Sequence, residues 1–296
     1  MYSNSKIEQQ LRTLNTYIYS NFRPISTLEI WHDTCSDHKP VPTNQPFEPI
    51  TLRSTWEGSD QYYWLRFNVN VPVVKEGEHY VIHLDLGRTG GGGNSGFEGL
   101  VHLNGHPRQA VDANHKDIYL EITWSSQTIQ VAILMWTGLE GGGPKKIQHY
   151  VLQDVSAGLL NTPIRDCYRW LEVLYETTVE LDDDEPLLYE YRKLVDSIIK
   201  RFVWGAMSLA DIIDAAKLGL KDIEKFIETH KNQKKQFRIS AIGHTHIDVA
   251  WLWRLRHTRE KTARSFSTVL ELMREYPEYV FMHSTPQVWQ FIKEDY

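Results

Sequence analysis

The sequence predicts a multidomain protein of mixed α and β structure. It contains an N-terminal antiparallel β-sandwich, a helical segment and the incomplete start of a parallel α/β domain. Three observations predict this fold class. Short runs of alternating apolar residues fill the first half of the 296-residue chain, runs with helical periodicity follow, and residues 236–296 alternate strand-like and helix-like patterns.

The β-sandwich is predicted from alternating residues and from turn signals. Three runs have the period of a half-buried strand: Tyr63, Leu65, Phe67 and Val69; Tyr80, Ile82, Leu84 and Leu86; and Ile129, Val131, Ile133 and Met135. Asn104-Gly105 follows another apolar run and predicts a tight hairpin turn. We therefore expect a jelly-roll-like sandwich over residues 28–157, preceded by an N-terminal helical arm over residues 1–27 with a helix near Lys6–Tyr19.

Residues 158–235 form a predicted helical linker region. Two sets of side chains each fall on one helical face: Cys167, Trp170, Leu171 and Leu174, and then Tyr191, Leu194, Val195, Ile198 and Phe202. A third helix is predicted over Leu209–Thr229, and a polar, basic linker follows it.

Residues 236–296 predict a strand, a helix, a second strand and a second helix. The first strand covers Phe237–Gly243 and should be buried, and the second covers Tyr279–His283. The helix between them carries Ala263, Phe266, Leu270 and Met273 on one stripe. Two parallel strands cannot form a stable sheet alone, so we expect the front piece of a longer protein, with part of that helical stripe exposed.

A motif with metal-binding chemistry follows the first of these strands. If the extended backbone continues, His244, His246 and Asp248 point the same way, since side chains two apart share a face. In α/β folds the carboxyl end of a parallel strand is the usual position of an active site. Imidazole and carboxylate suit zinc, which in catalytic sites takes about three protein ligands. The motif supplies part of such a set, and histidines with a purely structural role are the alternative.

The motif and the segments after it resemble a known enzyme family. Gly243–Trp253, His257–Lys261, Phe266–Leu270 and Glu275–Phe281 together resemble the opening of α-mannosidases of glycoside hydrolase family 38. The resemblance is continuous from about Arg238 to Tyr296 and looser before that. Ile247 and Ala250 stand where secreted and Golgi members typically carry Asn and Gly, which favours the cytosolic or bacterial branch.

The resemblance implies a role for each residue of the motif. His246 and Asp248 correspond to zinc ligands, and Trp251 corresponds to an aromatic ring that packs against mannose at the cleaved bond. His244 matches the motif but is not a direct ligand in the family, so we expect it to orient or hydrogen-bond the ligands. The implied fold of residues 236–296 is the start of a seven-stranded β/α barrel, of which only the first strands are present.

The resemblance also implies a reaction, the retaining hydrolysis of terminal α-mannosidic bonds of oligosaccharides. Retention takes two carboxyl groups about 5–5.5 Å apart, one as nucleophile and one as acid/base. In the family the nucleophile is an aspartate that also binds zinc, and a further histidine completes the metal site. No catalytic residue of this set is expected within the chain, so the chain alone is predicted to be inactive.

The composition of the chain indicates which partners and which cellular compartment to expect. The net charge is −6 and no basic patch dominates, so we expect no nucleic acid partner. No apolar run is long enough to cross a bilayer, and Met1–Arg12 lacks the apolar run of a signal peptide. We therefore expect a cytoplasmic protein with Cys35 and Cys167 reduced, an α-mannoside oligosaccharide as substrate and no membrane partner. A homodimer is left open.

Other functions compete with this reading. Amidohydrolases also place His-x-His at the end of a barrel strand, but they leave Trp251–Trp253 and the match through Phe281 unexplained. A metallo-β-lactamase-type enzyme would need a histidine where Val249 stands. A non-catalytic carbohydrate-binding module is the third class.

Some signals in the sandwich also have two readings. Asn104, Gly105 and His115 resemble turns of sugar-binding jelly rolls, although a scaffold that packs on the catalytic domain is favoured. The Gly-x-Gly-x-x-Gly match at Gly91, Gly93 and Gly96 is interpreted as a loop, because a strand pattern and not a helix follows it.

Overall fold

The structure is a computed structural model that describes residues 1–35, 41–75, 78–88, 97–139, 146–183, 185–231 and 239–296. The strands are β1 Tyr19–Pro24, β2 Leu28–Asp33, β3 Glu48–Ile50, β4 Thr55–Gly58, β5 Tyr62–Asn70, β6 His79–Asp85, β7 Glu98–Leu103, β8 His106–Val111, β9 Asp117–Tyr119, β10 Thr128–Trp136, β11 Gln148–Val151 and β12 Asp154–Leu160. The helices are α1 Asn4–Asn15, α2 Thr162–Glu180, α3 Leu188–Ile199, α4 Leu209–His230, α5 Leu255–Glu275 and α6 Pro286–Asp295. In this described part of the chain, no helix combines the length and the apolar character that crossing a membrane requires.

The chain divides into two compact units. For the described residues within these ranges, the first unit comprises Met1–Phe22, Lys75–Tyr80 and Gly158–Arg238, and the second comprises Arg23–Val74, Val81–Ala157 and Ile239–Tyr296. These two units are defined by how compactly their segments pack, and such units do not define where a domain begins or ends. The boundaries predicted at 1–27, 28–157, 158–235 and 236–296 therefore stay predictions.

Antiparallel pairing dominates the second unit, as predicted. Its largest sheet has the order β3-β2-β5-β10-β7-β8, and β10 pairs antiparallel with β5 and with β7, so that Ile133 lies opposite both Leu65 and Val101. A smaller sheet of this unit joins β11 to β4, and the described part of the chain also contains a four-stranded sheet with the order β1-β12-β6-β9. Along β10 the predicted inward residues Ile129, Val131, Ile133 and Met135 are all at most 2% exposed. The period of two therefore identified this strand and its buried face correctly.

The predicted hairpin turn forms between β7 and β8. Asn104 and Gly105 have φ angles of +50° and +85°, and Leu103 pairs with His106 on the other side of the turn. Positive φ at both central residues is the geometry that matches the twist of antiparallel strands, and Asn and Gly are the residues that adopt it with least strain. The glycine motif at Gly91, Gly93 and Gly96 lies outside the described residues.

The first unit is helical, with one correction at its start. The first helix ends at Asn15 and not near Tyr19, and the rest of the arm predicted as helical contains β1, which pairs with β12. Strand pairing with a distant segment overrides the local helical pattern there. The predicted face of α2 is buried at Cys167, Leu171 and Leu174, whereas Trp170 is 42% exposed. Helix α4 begins at Leu209 as predicted, after a capping box formed by Ser208 and Asp211.

Among the described residues of 239–296, the two predicted strands meet at a single bridge. Gly243 pairs with Phe281 in the predicted parallel direction, with Gly243 N–H donating to Val280 O at 2.7 Å. The described part of the first predicted strand is not buried, since Ile239 is 87% and Ile242 53% exposed. A parallel strand is stable when it has neighbours on both sides and covered faces. Among the described residues, the first predicted strand has one paired position, Gly243 with Phe281. The start of a β/α barrel therefore stays a prediction.

Helix α5 has two different packed faces. Phe266 on its apolar face packs in a small core with Ile247 and Val288, while Leu270 is 55% and Met273 37% exposed, in line with the predicted partial exposure.

The opposite, polar face of α5 contacts the largest sheet. Thr268 accepts a hydrogen bond from the backbone N–H of Ala110 in β8, and Glu271 pairs with Arg108 of the same strand at 2.9 Å. The segment that carries the motif is thus connected to the antiparallel sheet within one compact unit.

Candidate functional site

The motif segment follows the bridge at Gly243 and bends at Val249 and Ala250. Side-chain exposure alternates as a period of two requires, with His244 and His246 exposed and Ile247 only 4% exposed in the core beneath α5. Ala250 then has a φ of +55°, in the left-handed region that is uncommon for a residue other than glycine. The buried Ile247 side chain and the turn at Ala250 together direct the polar side chains of the motif outward.

His246 and Asp248 lie within hydrogen-bonding distance of each other. The Nε2 atom of His246 is 2.8 Å from Oδ1 of Asp248, and the two side chains are 79% and 42% exposed. A carboxylate only accepts, so the imidazole N–H donates in this contact. The two donor groups assigned to a metal from the sequence are therefore adjacent and open to solvent.

The pair fits part of a zinc site. Tetrahedral zinc holds its nitrogen and oxygen ligands at about 2.0–2.2 Å, which separates two ligand atoms by about 3.4 Å. The exposed side chains of His246 and Asp248 can open from 2.8 Å to that separation by small rotations once the imidazole N–H is lost. In the described part of the chain, no group of three or more His, Cys, Asp or Glu side chains is placed to hold a metal ion. The donor types suit zinc, and the described residues do not complete its ligand set.

His244 lies apart from this pair, against a second histidine that the motif does not contain. Its ring stacks on His283 with centroids 5.7 Å apart. His283 is 7% exposed, and its Nδ1 lies 2.9 Å from the carbonyl oxygen of Thr245, so Nδ1 carries the proton. Its Nε2 is buried and has no hydrogen-bond partner among the described residues. His283 thus supports the backbone of the motif from below, and His244 covers its ring.

Trp251, three residues after Asp248 in the chain, has an exposed aromatic ring. Its side chain is 65% exposed, and its ring meets that of Trp253 edge to face at 5.6 Å. The Trp253 indole N–H donates to the hydroxyl of Thr258 at 3.0 Å. Trp253 is therefore held in place while the face of Trp251 remains open, an arrangement suited to packing against the apolar side of a sugar.

Besides His283, three residues that support the motif are not identified by sequence reasoning. Thr258 and His257 stand in the segment quoted for the family resemblance, but nothing in their spacing assigns them a role. The Thr258 hydroxyl contacts Asp248 and Ala250, and His257 contacts Asp60 of the sheet region at 2.8 Å. Asp60 is 197 positions away along the chain, so no local pattern could have identified it.

Residues 236–296 match the sequence model of the glycosyl hydrolases family 38 N-terminal domain. Alpha-mannosidase G of Dictyostelium discoideum is 26% identical over 249 residues, which are 79% of this chain and 21% of that protein. Human alpha-mannosidase 2C1 is 42% identical over 72 residues, covering 24% of this chain and 7% of that protein. An alpha-mannosidase of Saccharomyces cerevisiae is 43% identical over 58 residues, covering 20% and 5%.

These matches cover a small part of each relative. The chain spans about a fifth or less of the length of these three relatives. Among solved structures, a β-glucuronidase of Faecalibacterium prausnitzii covers 47% of this chain at 10% identity, with a TM-score of 0.34 that is too low to establish a shared fold. The sequence matches nevertheless confirm the recognition made from the motif: the chain resembles the N-terminal portion of α-mannosidases of glycoside hydrolase family 38.

Proposed function

We propose that this chain is part of a retaining, zinc-dependent α-mannosidase that hydrolyses terminal α-mannosidic bonds of oligosaccharides. One observation carries the proposal. The exposed His246–Asp248 pair, 2.8 Å apart, and the exposed ring of Trp251, three residues after Asp248, lie within residues 236–296, which match the family 38 sequence model. The α-mannosidase names of the relatives agree with this activity.

The residues of the site have distinct proposed roles. His246 and Asp248 bind the metal through Nε2 and a carboxylate oxygen, and Trp251 packs against the apolar face of the mannose ring. When bound, zinc holds sugar hydroxyls and favours distortion of the ring. His283 and the His244 ring that stacks on it hold the backbone at Thr245, between His244 and His246.

The rest of the chemistry requires groups that the motif does not contain. Retaining hydrolysis takes a nucleophile and an acid/base, two carboxyl groups about 5–5.5 Å apart. Asp248 is the carboxylate of the motif, and its proposed role is that of a ligand. We therefore propose that the 296 residues alone bind metal weakly and do not hydrolyse mannosides, and that the complete protein supplies the remaining groups.

The test is hydrolysis of an aryl α-mannoside by the protein expressed from the complete reading frame, with and without a chelator. We expect chelator-sensitive turnover that falls more than about 100-fold in His246→Ala and in Asp248→Ala, beyond the effect usual for residues that only support a ligand. His106→Ala and Asp214→Ala change an exposed histidine and an exposed aspartate elsewhere and should leave turnover unchanged.

Other results would contradict the proposed mannosidase activity and favour a different function. A folded, zinc-loaded protein without turnover on any α-mannoside would refute the mannosidase. Sugar binding without turnover would then favour a carbohydrate-binding module, and chelator-sensitive cleavage of amide substrates would favour an amidohydrolase.

A further inference from the structure

Asp60 lies at the centre of a polar cluster at one end of the largest sheet. It occupies the turn between β4 and β5 with a φ of +57°, a conformation that Asp and Asn tolerate better than most residues. Its side chain is 14% exposed. Its Oδ1 accepts from the Trp136 indole N–H at 3.0 Å and from His257 Nε2–H at 2.8 Å. Its Oδ2 accepts from Arg254 at 2.9 Å and from Arg256 at 3.0 Å.

The charges of the cluster are defined by its contacts. Burial alone would raise the pKa of Asp60, but the Trp136 indole N–H and the neighbouring His257 and Arg256 outweigh it and lower this pKa. Burial lowers the pKa of His257, whose side chain is 1% exposed and whose ring stacks on Trp136 at 4.8 Å. His257 Nδ1 accepts from the backbone N–H of Arg254 at 3.1 Å, so Nε2 carries the proton. A charged Asp60 thus holds a neutral His257.

Every contact of this carboxylate on α5 lies at the beginning of the helix. Arg254 is the residue that precedes the first helical position, and Arg256 and His257 belong to the first turn. Further along α5, Glu98 of β7 contacts Lys261 at 2.8 Å and Arg264. The helix therefore has additional contacts with the sheet, and loss of Asp60 would loosen its first turn without releasing the rest of it.

Thr258, one residue further, connects this turn to the motif. Its side chain is fully buried. Its hydroxyl donates to the carbonyl of Asp248 at 3.2 Å and accepts from the Ala250 N–H at 3.1 Å and the Trp253 indole N–H at 3.0 Å. One hydroxyl can make one donated and two accepted bonds, so its capacity is fully used on the backbone and side chain of this segment.

We propose that Asp60 is a positioning residue for the metal-binding motif, acting through His257 and Thr258 on the segment from Asp248 to Trp253. The antiparallel sheet region then has a specific role in the active site, because its turn between β4 and β5 holds the backbone of one ligand, Asp248. The catalytic consequence rests on the function proposed above, while the structural consequence does not.

Amide hydrogen exchange on the chain itself tests the structural step. We expect exchange of the Ala250 amide to rise about tenfold or more in Asp60→Ala and Thr258→Val, because its hydrogen bond is opened more often. Thr258→Ser keeps the hydroxyl and should exchange like the wild type. Amides of β10 serve as the control for an intact sheet. Unchanged exchange at Ala250 in both Asp60→Ala and Thr258→Val, with β10 intact, would overturn the proposal.

Kinetics of the complete protein test the catalytic step. We expect Asp60→Ala and Thr258→Val to lower kcat on an aryl α-mannoside about 10- to 100-fold, with KM within about twofold, and Thr258→Ser to restore kcat. A lower melting temperature with unchanged kcat would show a merely structural role and overturn the positioning role. Wild-type protein without turnover would refute the proposed function instead, and the exchange data would still decide the structural step.

Discussion

Glu98 of β7 pairs with the polar face of α5, and its replacement should destabilise the unit that carries the motif. Its two oxygens accept from Lys261 Nζ at 2.8 Å and from the Arg264 guanidinium. The side chains of Glu98 and Arg264 are 28% and 7% exposed. Removing the carboxylate leaves a nearly buried guanidinium without its acidic partner, which is more costly than losing an exposed ion pair.

The expected cost follows from this burial. Hydrogen bonds to charged groups contribute about 1.5–3 kcal/mol, and Glu98→Gln keeps the shape of the side chain while removing the charge, so we expect a loss of about 2 kcal/mol. Glu98→Ala should cost about 3 kcal/mol, the lower end for breaking a buried pair, because Lys261 is 38% exposed and can be rehydrated. For a unit of this size, 2 kcal/mol corresponds to about 4–8 °C in melting temperature.

The pH dependence of this loss has a defined sign. Burial alone would raise the pKa of Glu98, but Arg264 and Lys261 outweigh it and hold this pKa below its usual range. A lowered folded pKa contributes stability that is present above the unfolded value of about 4.3 and is lost as the pH falls through the folded value. The difference between wild type and Glu98→Gln should therefore be full at pH 7 and shrink below about pH 4.

Urea unfolding monitored by exchange of β10 amides measures this effect in the unit that contains Glu98. Glu48→Gln, at an exposed position of β3 in the same sheet, is the matched control. A cost for Glu98→Gln within about 0.5 kcal/mol of that control, the usual range for surface substitutions, would refute the reasoning. So would a cost that stays constant from pH 7 to pH 3.

Three further outcomes are expected. Tyr62→Phe removes the hydroxyl that donates to Glu260 at 2.7 Å and should cost about 1.5–3 kcal/mol in the same urea assay, whereas no cost would contradict that contact. Gly219→Ala should destabilise the helical unit by about 1–3 kcal/mol in thermal unfolding, because the added Cβ would lie 2.7 Å from a side-chain carbon of α3, and an unchanged melting temperature would contradict this close packing. Cys35 is exposed, with its pKa raised by Asp33, whereas Cys167 is buried with its pKa raised to about 12 by that burial, so one thiol should react in the native protein and two after denaturation. Reaction of both thiols in the native protein would contradict this.

The antiparallel strands could be predicted because buried apolar residues alternate with more exposed residues along their sequence. Along β5, Leu65, Phe67 and Val69 are at most 5% exposed, and the polar residues between them are partly or fully exposed. Strand β1 has no such alternation and exists because it pairs with β12, so local reasoning assigned part of it to a helix.

The apolar run before the motif was predicted to be a buried strand, and its described residues are exposed. Ile239 and Ile242 are apolar residues in a segment that the sequence predicts to be buried, yet both are more than half exposed. An apolar run predicts burial only when other layers cover it, and the run itself carries no information about those layers. The parallel direction of the bridge at Gly243 was nevertheless predicted correctly from the alternation of strand and helix patterns.

Helix α5 and the segment before it show why contacts between sequence neighbours are easier to predict than contacts across the fold. His246 and Asp248 are two residues apart in the sequence, and their side chains lie 2.8 Å apart. The contact that supports them joins Asp60 to His257 across 197 positions. Charged residues on one helical face usually indicate a solvated surface, but on α5 the residues Arg264 and Glu271 are 7% and 12% exposed and contact the sheet.

The apolar side of the same helix includes Leu270, which is 55% exposed. Periodicity therefore locates the two faces of a helix without showing which one is packed against the rest of the protein. Residues that are close in the sequence, such as His246 and Asp248, can be proposed as one site from their spacing. The residues that make the site rigid have to be found from pairings between segments that are far apart in the sequence, which depend on the tertiary fold.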